Sequence, residues 1–142
     1  MSHCLFCGIA EGKIPASVVY RDELCSAFMD IQPVNTGHVL VVPNTHATYL
    51  VDLLPETGAH MFKVARRVSL AIRGSDIHCE GVNLFLADGE VAGQDVFHVH
   101  LHVIPRYGGD GFGFRFGPDY GRLPPRARLD EIAAQIQTQL RP

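Results

Sequence analysis

Residues 97–104, Phe97-His98-Val99-His100-Leu101-His102-Val103-Ile104, carry an imidazole at every second position. Successive side chains of a β-strand point to opposite faces, so this spacing puts all three histidines on one face and Val99, Leu101 and Val103 on the other. Imidazole changes charge near neutrality, and its neutral nitrogen approaches an anionic phosphate without the repulsion a carboxylate meets. A polar, solvated sheet face would show the same alternation. Three histidines in phase, flanked by apolar residues and preceded by Ala92-Gly93-Gln94, argue against it. His-x-His on a strand also presents two imidazoles to zinc. Same-face neighbours lie roughly 7 Å apart, so two can converge on one ion while the third serves another site. Mononuclear metal-dependent hydrolysis is therefore the competing chemistry, and no His-x-His-x-Asp-His pattern follows to suggest a binuclear centre.

A second reactive group opens the chain. Cys4-Leu5-Phe6-Cys7 has the spacing of a zinc half-site, in competition with a redox Cys-x-x-Cys. Redox pairs follow a strand and open a helix in a thioredoxin-like fold, whereas this pair stands at the extreme N-terminus. Cys25 and Cys79 fall inside regular segments and read as buried, unreactive thiols packing as small hydrophobes.

The elements that must position these groups follow from the apolar pattern. Val18–Tyr20 and Leu24–Met29 read as a hairpin across Arg21-Asp22-Glu23, and His38–Val42, stopped by Pro43, as a strand buried on both faces. Pro55 to about Arg73 reads as a long helix with Ala59, Phe62, Ala65, Val68 and Ile72 on its inner face, ended by Gly74. Val82–Leu86 and Val96–Ile104 complete a five-stranded antiparallel sheet in a meander. After Arg106 the chain turns glycine- and proline-rich through residues 107–126, and a short helix from about Leu129 to Leu140 closes it. Grouped strands with one long helix predict an α+β fold in a single domain over residues 1–142.

Composition narrows the function classes. With 142 residues the chain can bury one hydrophobic core, and its 46% hydrophobic content includes no run of the roughly 20 residues a membrane span needs. A formal charge of −3 gives no general attraction to nucleic-acid polymers. Met1-Ser2-His3-Cys4 lacks the basic and apolar segments of a secretory signal, which makes the cytoplasm the expected compartment.

The block Gly93-Gln94-Asp95-Val96-Phe97-His98-Val99-His100-Leu101-His102-Val103-Ile104-Pro105-Arg106 resembles the signature of the histidine triad family of nucleotidyl hydrolases and transferases. Phe28-Met29-Asp30-Ile31-Gln32-Pro33, followed by Gly37-His38-Val39-Leu40-Val41-Val42-Pro43, resembles that family's nucleoside-binding hairpin, so the resemblance covers roughly residues 4 to 106. It implies that His100 attacks the α-phosphorus to give a covalent nucleotidyl-histidine, that His102 stabilises the departing group, and that His38 is the fourth histidine beside the nucleophile. It places Asp30 on the ribose hydroxyls, Phe6, Ile9, Phe28, Ile31 and Leu40 around the base, and Gln94 and Asp95 near the α-phosphate and leaving group. Asp95 departs from the serine or threonine common there, and Ala87 replaces a frequent asparagine.

The branch with the N-terminal cysteine pair implies a structural zinc held by Cys4, Cys7, His46 and His98, two thiolates and two imidazoles that leave no open position. The resemblance further implies a purine nucleotide as ligand and a two-fold homodimer, for which the Ala59-Phe62-Ala65 helix face offers an apolar surface. A nucleotide-binding regulator or scaffold with incidental hydrolysis is the alternative class of function. In the tail, Phe112, Phe114 and Phe116 alternate as if one face docks on protein, and Arg106, Arg115 or Arg122 is expected to meet a leaving group's phosphates. His3, His60 and His78 are expected at the surface.

Overall fold

The structure is a computed structural model that describes residues 4–140. Its strands are β1 (Val18–Arg21), β2 (Cys25–Met29), β3 (Val39–Pro43), β4 (Gly81–Leu86) and β5 (Leu101–Arg106), and its helices are α1 (Leu5–Ala10), α2 (Pro55–Arg73) and α3 (Arg126–Gln139). All strand pairs are antiparallel, in the order β1-β2-β3-β5-β4. The expected α+β class and five-stranded sheet are both observed. The sheet is not a plain meander, because β5 inserts between β3 and β4 and so brings the histidine segment beside the buried strand. None of the described helices is long and apolar enough to cross a membrane.

The β1–β2 hairpin is closed by Asp22, whose Oδ1 accepts from the backbone N–H groups of Leu24 and Cys25, a side-chain mimic of a backbone turn. Strand β3 pairs with β2 through Phe28 opposite Leu40 and with β5 through Leu40 opposite His102. Because side chains alternate, Ala27, Val39, Val41 and Val103 face one side of the sheet, and Phe28, Leu40 and His102 face the other.

Helix α2 covers the first face, packing across β2, β3 and β5. Its buried residues are Thr57, Met61, Val64, Ala65, Val68 and Ile72, a helical stripe that joins Cys25, Ala27, Val39, Val41, Val99 and Val103 in the main core. Here the sequence expectation needs correction: Ala59 and Phe62 are exposed, and the inner stripe is rotated onto Met61 and Val64. Ala65 is fully buried, so the proposed Ala59-Phe62-Ala65 docking face does not exist as one surface. Pro55 starts the helix at a position that needs no amide donor.

The opposite face carries a smaller core of Phe6, Ile9, Phe28, Leu40 and Val42 beneath α1. Helix α1 was not expected from the sequence. Cys4 caps it by accepting from Cys7 N–H through Sγ. Gly8 lets the helix close against Ile14, since a Cβ there would stand 2.4 Å from the Ile14 side chain. The histidine strand also starts later than its alternation suggests: residues 96–98 form a bend, 99–100 belong to no regular element, and the ladder begins at Leu101. The side-chain alternation nevertheless runs on through them, with Val99 in the main core and His98 and His100 buried.

Backbone contacts divide the chain into two compact units, Met1–Phe112 and Gly113–Pro142. The first holds the sheet, α1, α2 and both cores. The second holds α3 and a Phe116–Tyr120 stack with ring centroids 3.8 Å apart.

Candidate active site and metal centre

A cavity of about 380 Å³ opens between α1, the end of β2 and the start of β5. Its apolar walls include Phe6, Ile9, Phe28, Ile31 and Leu40, and its polar groups are Asp30, Gln32, Asp95, His100 and His102. That is the size and composition of a small-ligand pocket with few convergent polar groups. Ile31 reaches the cavity from an otherwise exposed position. Leu5, Ile14, Pro15, Ala16, Met29 and Val96 also line it and were not singled out from sequence. The apolar Ile14-Pro15-Ala16 step just before β1 was the available signal.

The hydrogen bonds decide which imidazole nitrogens carry protons. His100 Nδ1 lies 2.8 Å from the His98 carbonyl oxygen, which can only accept, so Nδ1 carries the proton and Nε2 presents a lone pair. Asp95 Oδ1 stands 3.7 Å from that Nε2. Val34 N–H donates to His38 Nδ1 at 3.0 Å, which leaves the His38 proton on Nε2. His38 Nε2 then donates to His102 Nδ1 at 2.9 Å, so the His102 proton sits on its own Nε2. Burial, followed by the neighbouring His100 and His38, pushes the His102 pKa down to about 4. Burial also lowers His38, against the attraction of Asp30. Both rings are neutral at pH 7. Edge contacts from Phe6 onto His100 and from Phe85 onto His102 hold the ring planes.

Asp30 lines the cavity at the end of β2. Its Oδ1 accepts from Gln32 N–H, and its Oδ2 lies 3.5 Å from His38 Nε2. The turn between Asp30 and His38 is pinned by Asn35, whose side-chain amide donates to Pro105 O and Asp110 Oδ2, and whose carbonyl accepts from His38 N–H. Gly37 in this turn has φ +94°, and a Cβ would meet Ile77 and Pro105 at 3.1–3.2 Å, so both backbone and space call for glycine. Asn35 is a site-building residue that sequence reasoning missed.

Three expectations are corrected. Gln94 does not line the cavity: it is buried, its Nε2 donates to the carbonyls of Thr48 and Val96, and its Oε1 accepts from Gly89 N–H. Its amide shapes the loop that carries Asp95. Arg106 is not free for a leaving group: it donates to both Asp110 oxygens, to Asn83 Oδ1 and to the Phe112 carbonyl. His60 is not a plain surface residue either, since its Nε2 lies 2.6 Å from Asp22 Oδ2. His78 is exposed, beside Glu80 and stacked on Tyr107. His3 lies outside the described residues. Cys25 is fully buried, and burial followed by Asp22 pushes its thiol up to about 12; Cys79 is half-buried and donates to Gly81 O.

A second cluster lies on the other side of His98. Cys4, Cys7, His46 and His98 bring one donor atom each within 4.8 Å of one another. The separations are 3.3 Å for Cys4 Sγ–His98 Nδ1, 3.3 Å for Cys7 Sγ–His46 Nδ1, 3.5 Å for Cys7 Sγ–His98 Nδ1 and 3.2 Å for His46 Nδ1–His98 Nδ1. A tetrahedral zinc with bonds of about 2.0–2.3 Å spaces its ligand atoms roughly 3.3–3.8 Å apart. His98 Nε2 donates to Pro43 O, so its Nδ1 turns a lone pair inward; His46 Nδ1 faces the same centre, with its Nε2 3.1 Å from the Thr48 hydroxyl, which can accept a hydrogen bond from it. The donor set therefore fits zinc. His98 lies in this cluster and His100 lines the cavity although they sit two residues apart.

The HIT domain model matches residues 11–109. Among solved structures, the chain is similar to a HIT family protein from Bacillus anthracis, at 40% identity with a TM-score of 0.89 and 99% of each chain covered. It is similar to a Zn-bound histidine triad family protein from Mycobacterium smegmatis, at 44% identity with a TM-score of 0.75, covering 94% of this chain and 97% of the other. It is also similar to a histidine triad nucleotide-binding protein from Candida albicans, at 26% identity with a TM-score of 0.81 and 96% of each chain covered.

Proposed function

The chain belongs to the HIT domain family, and on that premise we propose that it is a nucleotidyl hydrolase or transferase that releases a nucleoside monophosphate from a phosphoramidate, phosphate or polyphosphate linkage, with His100 as nucleophile. The observation that carries this reading is the tautomer of His100, whose Nδ1–H is held by the His98 carbonyl while Nε2 presents its lone pair to the cavity. Nucleotide binding in the Candida albicans relative supports a nucleotide as the ligand.

In this reading the His100 Nε2 lone pair forms a bond to the α-phosphorus as the bond from phosphorus to the leaving atom breaks. His102, neutral and carrying its proton on Nε2, donates a hydrogen bond to the charge that develops during departure. Water then attacks the same phosphorus, the P–N bond to His100 breaks, and the monophosphate leaves. Asp30 binds the ribose hydroxyls through its carboxylate, and Phe6, Ile9, Phe28, Ile31 and Leu40 enclose the base, a purine in the resemblance on which this assignment rests.

Cys4, Cys7, His46 and His98 would hold a structural zinc, a reading supported by their four convergent donor atoms and by the zinc bound in the Mycobacterium smegmatis relative. Bound by four protein donors, zinc would be structural, fastening α1, which carries Phe6 and Ile9, to the segment that carries His100. The family's two-fold homodimer is the proposed assembly, and the cytoplasm the proposed compartment.

The test is to quench the protein rapidly with an adenosine phosphoramidate and measure intact mass. A nucleotidyl adduct that is acid-labile, alkali-stable and lost in His100→Ala is the expected result. Turnover retained by His100→Ala would remove the nucleophile assignment.

A further inference from the structure

We infer that Asp95 selects the leaving group, admitting neutral and cationic amines and turning away polyphosphates. This rests on the reading of His100 as the residue that meets the α-phosphorus. Asp95 is carried by a loop fixed on both sides, since Gln94 ties the segment to Gly89, Thr48 and Val96. Its side chain is 83% exposed and stands 3.7 Å from His100 Nε2. Among the described residues no other hydrogen bond or ion pair engages it, so its charge is not spent on holding the fold.

Among the described residues the rest of the cavity supplies no compensating cation: it is lined by two carboxylates, Asp30 and Asp95, and by no lysine or arginine. Arg106, at the far end of β5, has its guanidinium committed to Asp110, Asn83 and the Phe112 carbonyl. His102 is held neutral by burial and by its histidine neighbours.

A phosphate seated on His100 Nε2 lies within several ångströms of the Asp95 carboxylate. Every further phosphate in the leaving group adds negative charge near that carboxylate, with nothing on the cavity wall to offset it. A phosphoramidate behaves in the opposite sense. As the His100 Nε2–phosphorus bond forms and the phosphorus–nitrogen bond breaks, the departing nitrogen takes a proton from water and leaves as an amine or ammonium, which a carboxylate attracts. An exposed carboxylate acting over this distance changes a rate ratio by about fivefold rather than by orders of magnitude.

The experiment compares wild type with Asp95→Asn, Asp95→Ser and Asp95→Glu. For each, kcat/KM is measured on an adenosine phosphoramidate of a neutral amine, on one whose amine carries a second ammonium, and on diadenosine tetraphosphate, and the affinities for AMP and ATP are measured by calorimetry. Asp95→Asn and Asp95→Ser are expected to lower the ratio of ammonium substrate to tetraphosphate by about fivefold and to strengthen ATP relative to AMP by a similar factor, while Asp95→Glu keeps the wild-type ratios. Unchanged ratios, or an equal change on every substrate, overturn the role of Asp95. A wild type that hydrolyses none of the substrates, but whose ATP-to-AMP affinity ratio shifts in the variants as described, removes the hydrolase reading and leaves the selector in place. Normal hydrolysis with ratios that do not respond does the reverse.

Discussion

His46 and His98 turn their Nδ1 atoms toward each other across 3.2 Å, while His98 Nε2 donates its proton to the Pro43 carbonyl. The lone pair of His98 Nδ1 therefore faces His46 Nδ1 and both cysteine sulfurs, a setting that a proton on one of these neighbours or a metal ion among them can fill. The pair 2.9 Å apart at His38 Nε2 and His102 Nδ1 is the opposite case, because Val34 N–H fills His38 Nδ1 and leaves a proton to bridge the two rings. The first arrangement belongs to a four-donor cluster that fits a metal, and the second already holds its proton.

Purified protein is therefore expected to contain about one zinc per chain, measured by inductively coupled plasma mass spectrometry. Chelation or Cys4→Ser should lower the melting temperature, since Phe6 and Ile9 then lose the tie between α1 and His98. Burial, followed by Cys4, pushes the Cys7 thiol up to about 11, so metal-free protein keeps that thiol protonated and zinc uptake should release its proton. Metal-free protein that melts as the purified protein does would exclude the structural site.

The parts of this centre legible in sequence were those set by alternation and by short spacings. Period two placed Val99 and Val103 in the core and His102 opposite, and the Cys4–Cys7 spacing marked a half-site. The rest depended on three-dimensional phase. Helix α2 contains apolar residues at Ala59, Met61, Phe62, Val64, Ala65 and Val68, more than one stripe can use, and only the sheet beneath selects Met61 and Val64 over Ala59 and Phe62. Helix α1, six residues long, is too short to show a period; its position follows from Cys4 and Phe6 packing against His98 and His100. Asn35 was invisible because its partners, Pro105 and Asp110, lie at least 70 residues away in the chain.

Replacing His38 should disturb His102 rather than the nucleophile. In His38→Leu, His102 Nδ1 loses its donor, so the ring is free to move its proton to Nδ1 and turn a lone pair toward the cavity. The expected result is a fall in kcat of about tenfold or more with KM little changed, because the affected contact acts on the departing group. Imidazole nitrogen chemical shifts from NMR report the tautomer directly. His102 still protonated on Nε2 in the variant, with kcat equal to that of the wild type, would break the link from Val34 through His38.

Stability should fall on acidification in two separate windows. His102 has its pKa lowered from 6.5 to about 4, chiefly by burial. Below pH 6.5 the unfolded chain takes up a proton that the folded chain refuses until about pH 4, so folding loses free energy across that interval. The loss is on the order of 1–3 kcal/mol, and His38, lowered by burial as well, adds to it in the same direction. Asp22 and Asp110 act lower on the scale. Desolvation alone would raise Asp22, but hydrogen bonds from Tyr20, His60 and the Cys25 and Leu24 amides outweigh it, and Asp110 is depressed first by Arg106. Their contribution is complete above the ordinary carboxylate pKa near 4 and disappears as pH drops below it. Urea unfolding measured at half-unit steps from pH 7.5 to 3 should thus show one decline beginning near 6.5 and a second beginning near 4. His102→Gln should shrink the first decline, leaving the share of His38, and keep the second in place, whereas Asp22→Asn should shrink the second and leave the first. A His102→Gln profile that retains the full loss between pH 6.5 and 4 would mean that the neutral, buried state of His102 is not what links its protonation to folding.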